Sequence, residues 1–139
     1  MTFNPAMLVA TIIHLIDDDI VHQFTTSKMI ELCELNTKTS SFLNGKEALK
    51  HLASSVHSEL PDIILLDINM PVMDGWQFLD EFAHIKPSLS KNINIFILSS
   101  SLDERDISRA KEYNEIIAYI TKPVDTTIIA NIINSKRAN

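Results

Sequence analysis

The chain holds one cysteine, Cys33, in 139 residues. An internal disulfide is therefore excluded, and the composition suits a reducing compartment. Cys33 falls in the helix-patterned stretch MIELCEL with no basic neighbour to hold a thiolate, so it reads as a small packing residue. Only two glycines occur, Gly45 and Gly75, too few for a glycine-rich loop that could cradle a nucleotide phosphate. Positive charge is also scarce. Twelve Lys and Arg stand against 18 Asp and Glu, for a net charge of −6, and Lys136 with Arg137 is no basic cluster. Binding to nucleic acid through counterion release needs such a cluster, so a nucleic-acid surface is not expected. The apolar stretch Ala6 to Ile16 is too short to span a bilayer, lacks a basic leader and a small-residue cleavage site, and runs into three aspartates. No membrane association is expected, and the location is read as cytoplasmic.

With 45% hydrophobic residues, a chain of this length makes one ordinary domain that can bury a core without disulfides or metals. Repeats, low-complexity tracts and linkers are absent. The most informative stretch is PDIILLDINMPVMDGW, Pro61 to Trp76. Ile63 to Leu66 is an unbroken apolar run, the mark of a strand buried on both faces of a parallel sheet. It ends on Asp67, and in open sheets of this kind ligands bind beyond the carboxyl ends of the strands.

Taken in order, residues 1–10 form a leader and Thr11 to Ile16 a first strand that stops at Asp17, Asp18 and Asp19. Ile20 to about Asn36 is helical, with Val21, Phe24, Leu32 and Leu35 predicted to share a core-facing side. Thr39 to Leu43 is a second strand, and Ala48, Leu49, Leu52 and Val56 stripe a second helix. After the third strand, Phe78, Leu79, Phe82 and Ile85 mark a helix that Pro87 ends. Ile93 to Leu98 is a fourth strand, Asp103 to Tyr113 a charged helix, and Ile116 to Ile120 a fifth strand before Thr121, Lys122 and Pro123. Asp125 or Thr126 caps a last helix whose Ile128, Ile129, Ile132 and Ile133 face inward. Five strands alternating with five helices predict right-handed βαβ units and a doubly wound α/β sheet. The domain is expected over residues 11–135, with 136–139 as a tail.

The strand-end rule gathers Asp17, Asp18, Asp67, Ser99 and Lys122. Clustered carboxylates repel unless a cation joins them, and an all-oxygen donor set suits Mg²⁺, or Mn²⁺, far better than Zn²⁺. With such a cation present, Asp67 has the parts of a carboxylate nucleophile toward phosphorus, Lys122 offsetting charge and Ser99 donating a hydrogen bond. The product would be an aspartyl phosphate.

LIDDD, LLDINMPVMDGW, ILSSS and YITKP, in this order and spacing, resemble a response-regulator receiver domain, the phospho-acceptor module of two-component signalling. The resemblance covers residues 11 to about 135. It implies a flavodoxin-like five-stranded sheet in the order 2-1-3-4-5, phosphorylation at Asp67, and metal binding by Asp17, Asp18, Asp67 and the backbone carbonyl of Asn69. Asp18 would be the more direct ligand of the acidic pair, and Asp19 allows a second register for it. By the same resemblance Lys122 grips the phosphoryl group through a cis Lys122–Pro123 bond. Ser99 and Tyr119 take the switch positions, and Asn69 and Ser101 tune hydrolysis. A partner histidine kinase or histidine phosphotransfer protein would supply the phosphoryl group. The domain would catalyse its own phosphorylation and slow hydrolysis, then signal through a face built from the fourth helix, fifth strand and fifth helix.

Simpler readings exist for single residues. Asp67 alone would be a turn residue, Lys122 a solvated lysine and Tyr119 a strand aromatic; Trp76 reads as helix-start packing, Asp74 and Gly75 as turn chemistry. The five histidines lie on separate elements or helix sides and make no zinc site. His14 is expected in the core or at its rim, hydrogen-bonded to backbone, and His22 beside the acidic pocket without taking part. Two rival functions use similar parts. A Mg²⁺-dependent phosphatase of haloacid dehalogenase type would place its nucleophile after the first strand with a second Asp two residues on, where this chain has Asn69. A receiver-like scaffold that is never phosphorylated would not need the full acidic set.

Overall fold

The computed structural model describes residues 9–137, so most of the expected leader and the end of the tail lie outside the described residues. Five strands and five α-helices alternate: β1 Thr11–Ile16, α1 Ile20–Leu32, β2 Thr37–Phe42, α2 Gly45–Ser54, β3 Ile63–Leu66, α3 Gly75–Ile85, β4 Asn94–Ser99, α4 Glu104–Ala110, β5 Ile116–Thr121 and α5 Thr126–Arg137. All neighbouring strands pair in parallel, in the order β2-β1-β3-β4-β5, as expected. Among the described residues no helix is long and apolar enough to cross a membrane.

β3 shows why the sheet is covered on both sides. Its four residues are all buried, with Ile63 and Leu65 in one apolar cluster and Ile64 and Leu66 in the other. The first cluster packs β1, β3 and β4 against Ile30 of α1 and Ile129, Ile132 and Ile133 of α5. The second packs the opposite sheet face against α2, α3 and Ala110 of α4. Phe78 and Phe82 of α3 stack with centroids 6.1 Å apart and are essentially fully buried. Each contributes roughly 1.5–3 kcal/mol by leaving water.

α1 departs from expectation. Val21, Phe24 and Leu32 are 70%, 63% and 71% exposed, and the helix instead turns Gln23 and Ile30 inward. The reason lies in Gln23. Its Nε2 donates to the carbonyls of Leu15, Asp17 and Phe42, tying α1 to the ends of β1 and β2. Carbonyls left over at strand ends need donors when buried, and meeting them decides which side of the helix faces the sheet. Val56 likewise lies beyond α2 and is exposed. α4 is shorter than its charge pattern suggested, and α5 continues to Arg137, with Lys136 donating to the carbonyl of Asn92.

His14 is a second departure. It is 1% exposed, packed against the rings of Phe42 and His51, yet neither ring nitrogen has a hydrogen-bond partner among the described residues. Burial pushes its pKa down to about 4, helped by His51 and Lys91.

Candidate functional site

The backbone brings the site together by extending its ladders past the strands. Asp67 N donates to Ile16 O at 2.9 Å, Asp17 N to Phe42 O at 3.1 Å, and Lys122 N to Ser99 O at 2.8 Å. The three side chains are thus fixed at one edge of the sheet. α3 begins directly behind them. Asp74 and Gln77 make a reciprocal capping box, and Gly75 N donates to Ile68 O. A Cβ at Gly75 would meet the Ile68 Cα at 2.6 Å and the Asp67 carbonyl oxygen at 2.9 Å, so this approach of helix to loop requires glycine. The Lys122–Pro123 peptide is cis.

Carboxylate oxygens of Asp17, Asp18 and Asp67 lie within 4.8 Å of one another. Asp67 is 8% exposed, Asp17 half-buried and Asp18 open to solvent. Asp19 is used differently: its carboxylate caps α1, accepting from Val21 N at 2.8 Å and His22 N at 3.2 Å. That leaves Asp17 and Asp18 as the acids that meet Asp67. Burial, as the largest cause, raises the Asp67 pKa to about 6; the Asn69 N–H and Lys122 pull it down, and the Asp17 carboxylate pushes it further up. A buried carboxylate beside a second one is a site short of positive charge. Three hard oxygen donors, one of them solvent-facing, fit an ion such as Mg²⁺ that prefers carboxylates and keeps several waters.

Lys122 supplies part of the missing charge, though from the side. Its Nζ donates to Asp17 Oδ2 at 3.0 Å and meets His22 Nδ1 at 3.0 Å. Asn69 is exposed at the rim, its backbone N–H donating to Asp67 Oδ1 at 3.2 Å. The other expected residues converge one layer away, on Ser101. Fully buried Ser99 accepts the Ser101 N–H through its hydroxyl at 3.0 Å, and the Tyr119 hydroxyl donates to the Ser101 carbonyl at 2.9 Å. The Ser101 hydroxyl donates to Asp106 at 2.7 Å, so it is occupied at the start of α4.

Sequence reasoning missed Gln23 altogether, and it placed His22 beside the acidic pocket but without a part in it. Both lie on the first turns of α1, where no motif singled them out. Gln23 carried no clear signal, since it is one of several polar residues in the mixed stretch IVHQFTTSKMIEL.

A cleft of about 370 Å³ opens beside this centre, between α1 and the loop after β5, with His22, Ser100 and Lys122 among its lining residues. Exposed Ile20, Val21 and Phe24 stand on the same helix.

Residues 13–134 match the family described as response regulator receiver domain. A two-component response regulator from Cytophaga hutchinsonii has a similar crystal structure, with 30% identity, TM-score 0.80, and coverage of 92% of this chain and 97% of that one. The phosphorylated cyanobacterial phytochrome response regulator RcpA is similar at 26% identity and TM-score 0.73, covering 91% of this chain and 90% of that one. The sensor histidine kinase CheAY of Helicobacter pylori is 33% identical over 90 residues, which span 65% of this chain but 11% of the kinase. With the strand order, the acidic edge and the β5 lysine already in place, these matches establish that the chain belongs to the receiver domain family of two-component response regulators.

Proposed function

We propose that Asp67 accepts a phosphoryl group from a phosphohistidine on a sensor histidine kinase or histidine phosphotransfer protein, in a reaction dependent on Mg²⁺ or Mn²⁺. The observation that carries this reading is a buried, charge-deficient Asp67 within 4.8 Å of two further carboxylates. An Asp67 oxygen forms the new O–P bond as the P–N bond of the donor breaks, the electron pair staying on the imidazole nitrogen, which is protonated. Held by Asp17, Asp18, Asp67 and the Asn69 carbonyl, the cation would supply positive charge at the transferring oxygens. Lys122 turns a donor toward the same oxygens. The raised Asp67 pKa leaves the side chain ionised, and so nucleophilic, above about pH 6.

Exposed Ile20, Val21 and Phe24 on α1, the helix that follows the acidic loop, suit the protein that delivers the phosphoryl group, because its histidine must come within bonding distance of Asp67. Readout begins at Ser101. A phosphoryl oxygen competes for the Ser99 hydroxyl, which then gives up the Ser101 N–H, and Tyr119 leaves the Ser101 carbonyl and turns inward. Both changes loosen the connection into α4 and reshape the α4-β5-α5 face, where Leu102 and Ile117 are 73% and 54% exposed. A protein target, with neither nucleic acid nor membrane required, would read that face in the cytoplasm. Asn69, at the rim, is placed to influence the attacking water during slow hydrolysis.

Intact mass after incubation with a small-molecule phosphodonor tests the proposal. A gain of one phosphoryl group that requires Mg²⁺ is expected. Catalytic consumption of the donor without an adduct would instead favour a phosphatase, and neither adduct nor turnover, with a phosphohistidine donor also supplied, would favour a scaffold.

A further inference from the structure

We propose that His22 is a positioning residue of the acidic site: its Nδ1 gives the Lys122 ammonium a second seat, so that Asp17 can pass to a divalent cation while the lysine stays paired. This inference rests on the metal-binding reading above. An ammonium has only donors, so at 3.0 Å the His22 Nδ1 must accept, with the ring proton on Nε2. The neighbouring acids are farther from Nδ1, Asp19 at 3.5 Å and Asp17 at 3.8 Å.

The partners of Lys122 set up a competition. Asp17 Oδ2, at 3.0 Å from Nζ, belongs to the carboxylate that a cation would need. The lysine side chain is only 13% exposed, so giving up Asp17 with no replacement would strand a mostly desolvated charge. His22 prevents that. Capping by Asp19 fixes the first turn of α1, and with it the place of the imidazole. The side chain of His22 is 45% exposed, so the contact is made at the rim rather than imposed by core packing. Of the three ammonium donors, one stays on His22, and the one released by Asp17 becomes available to a phosphoryl oxygen.

Removing the acceptor should make Lys122 hold Asp17 harder and weaken cation binding. The test is Mn²⁺ titration of the full chain, with free Mn²⁺ read by electron paramagnetic resonance and folding checked by circular dichroism. We expect His22→Leu to bind Mn²⁺ about tenfold more weakly than wild type, the worth of one charge-assisted hydrogen bond. His22→Asn, which puts a carbonyl oxygen where Nδ1 stood, should return to within about twofold, a rescue that general loosening of α1 would not give. Equal or tighter binding by His22→Leu, or a His22→Asn variant as weak as His22→Leu, would overturn the inference while leaving the metal site intact. Wild-type protein that binds no Mn²⁺ would overturn both.

Discussion

An aspartate stands at each end of β3, and the two are treated in opposite ways. Asp62, just before the strand, accepts from Ile12 N at 2.8 Å through one oxygen and from Lys91 at 3.0 Å through the other. Asp67, just after it, accepts from the Asn69 N–H at 3.2 Å and faces another carboxylate. The first carboxylate is satisfied and fastens β1 to β3. The second is held short of positive charge, which is the condition for binding a cation and attacking phosphorus. The same residue type, five positions apart, is a staple at one end of a strand and, on the function proposed above, a reagent at the other.

The largest expected effect separates the two roles. Asp67→Asn should abolish phosphoryl gain in the mass experiment, whereas Asp62→Asn should leave it unchanged. Stability should move the other way. The folded state holds the Asp67 proton up to about pH 6, against 3.8 for the ordinary carboxyl, so the cost of ionising it grows through that window and is complete above it. Asp67→Asn should therefore stabilise the metal-free protein at pH 8 by about 2 kcal/mol in urea melts. Asp62→Ala should destabilise it by about 1–3 kcal/mol, since it strands Ile12 N and takes the charge partner from Lys91, which keeps the Leu60 carbonyl.

His14, midway along β1, sharpens the comparison through pH. Its folded-state pKa is depressed to about 4 from 6.5, so the unfolded state binds the extra proton between those values and stability is lost as pH falls. Asp67 contributes the opposite slope from about pH 6 down to about 4. Wild-type stability should thus be nearly flat across pH 4–6, while Asp67→Asn should show an acid loss of roughly 2–3 kcal/mol that His14→Phe removes. The smallest effect is local. Val72, in the loop after Asp67, is 94% exposed at a left-handed φ of 67°, which a β-branched residue adopts only under strain. Val72→Asn should raise stability by about 1 kcal/mol, measurable as a shift in the urea midpoint.

What could be read in advance follows the range of the forces involved. β1 and β3 were legible because an apolar run closed by acids is a local pattern, and parallel order carried Asp17, Asp67 and Lys122 to one edge. α1 was misread because its apolar residues fit a stripe, whereas its orientation is set by Gln23 reaching carbonyls on two strands. His22 was expected beside the pocket, but its contact with Lys122 escaped for a similar reason: the partner is 100 residues away and meets it only once the loop after β5 has packed beside α1. Ser101 was expected near the attacking water; its contacts with Asp106 and Tyr119, which also make it a junction between β4 and α4, involve a strand residue 18 positions on and could not be read from the local pattern.

The central claim is that the charge-deficient carboxylate after β3 is the one that carries phosphorus. Borohydride reduction of the phosphorylated protein, followed by peptide mapping, tests it most directly, because an aspartyl phosphate is reduced to homoserine. Homoserine at position 67 alone is the predicted result. Homoserine at position 17, 18 or 62, or a phosphoryl group that resists reduction on a serine or histidine, would contradict the account.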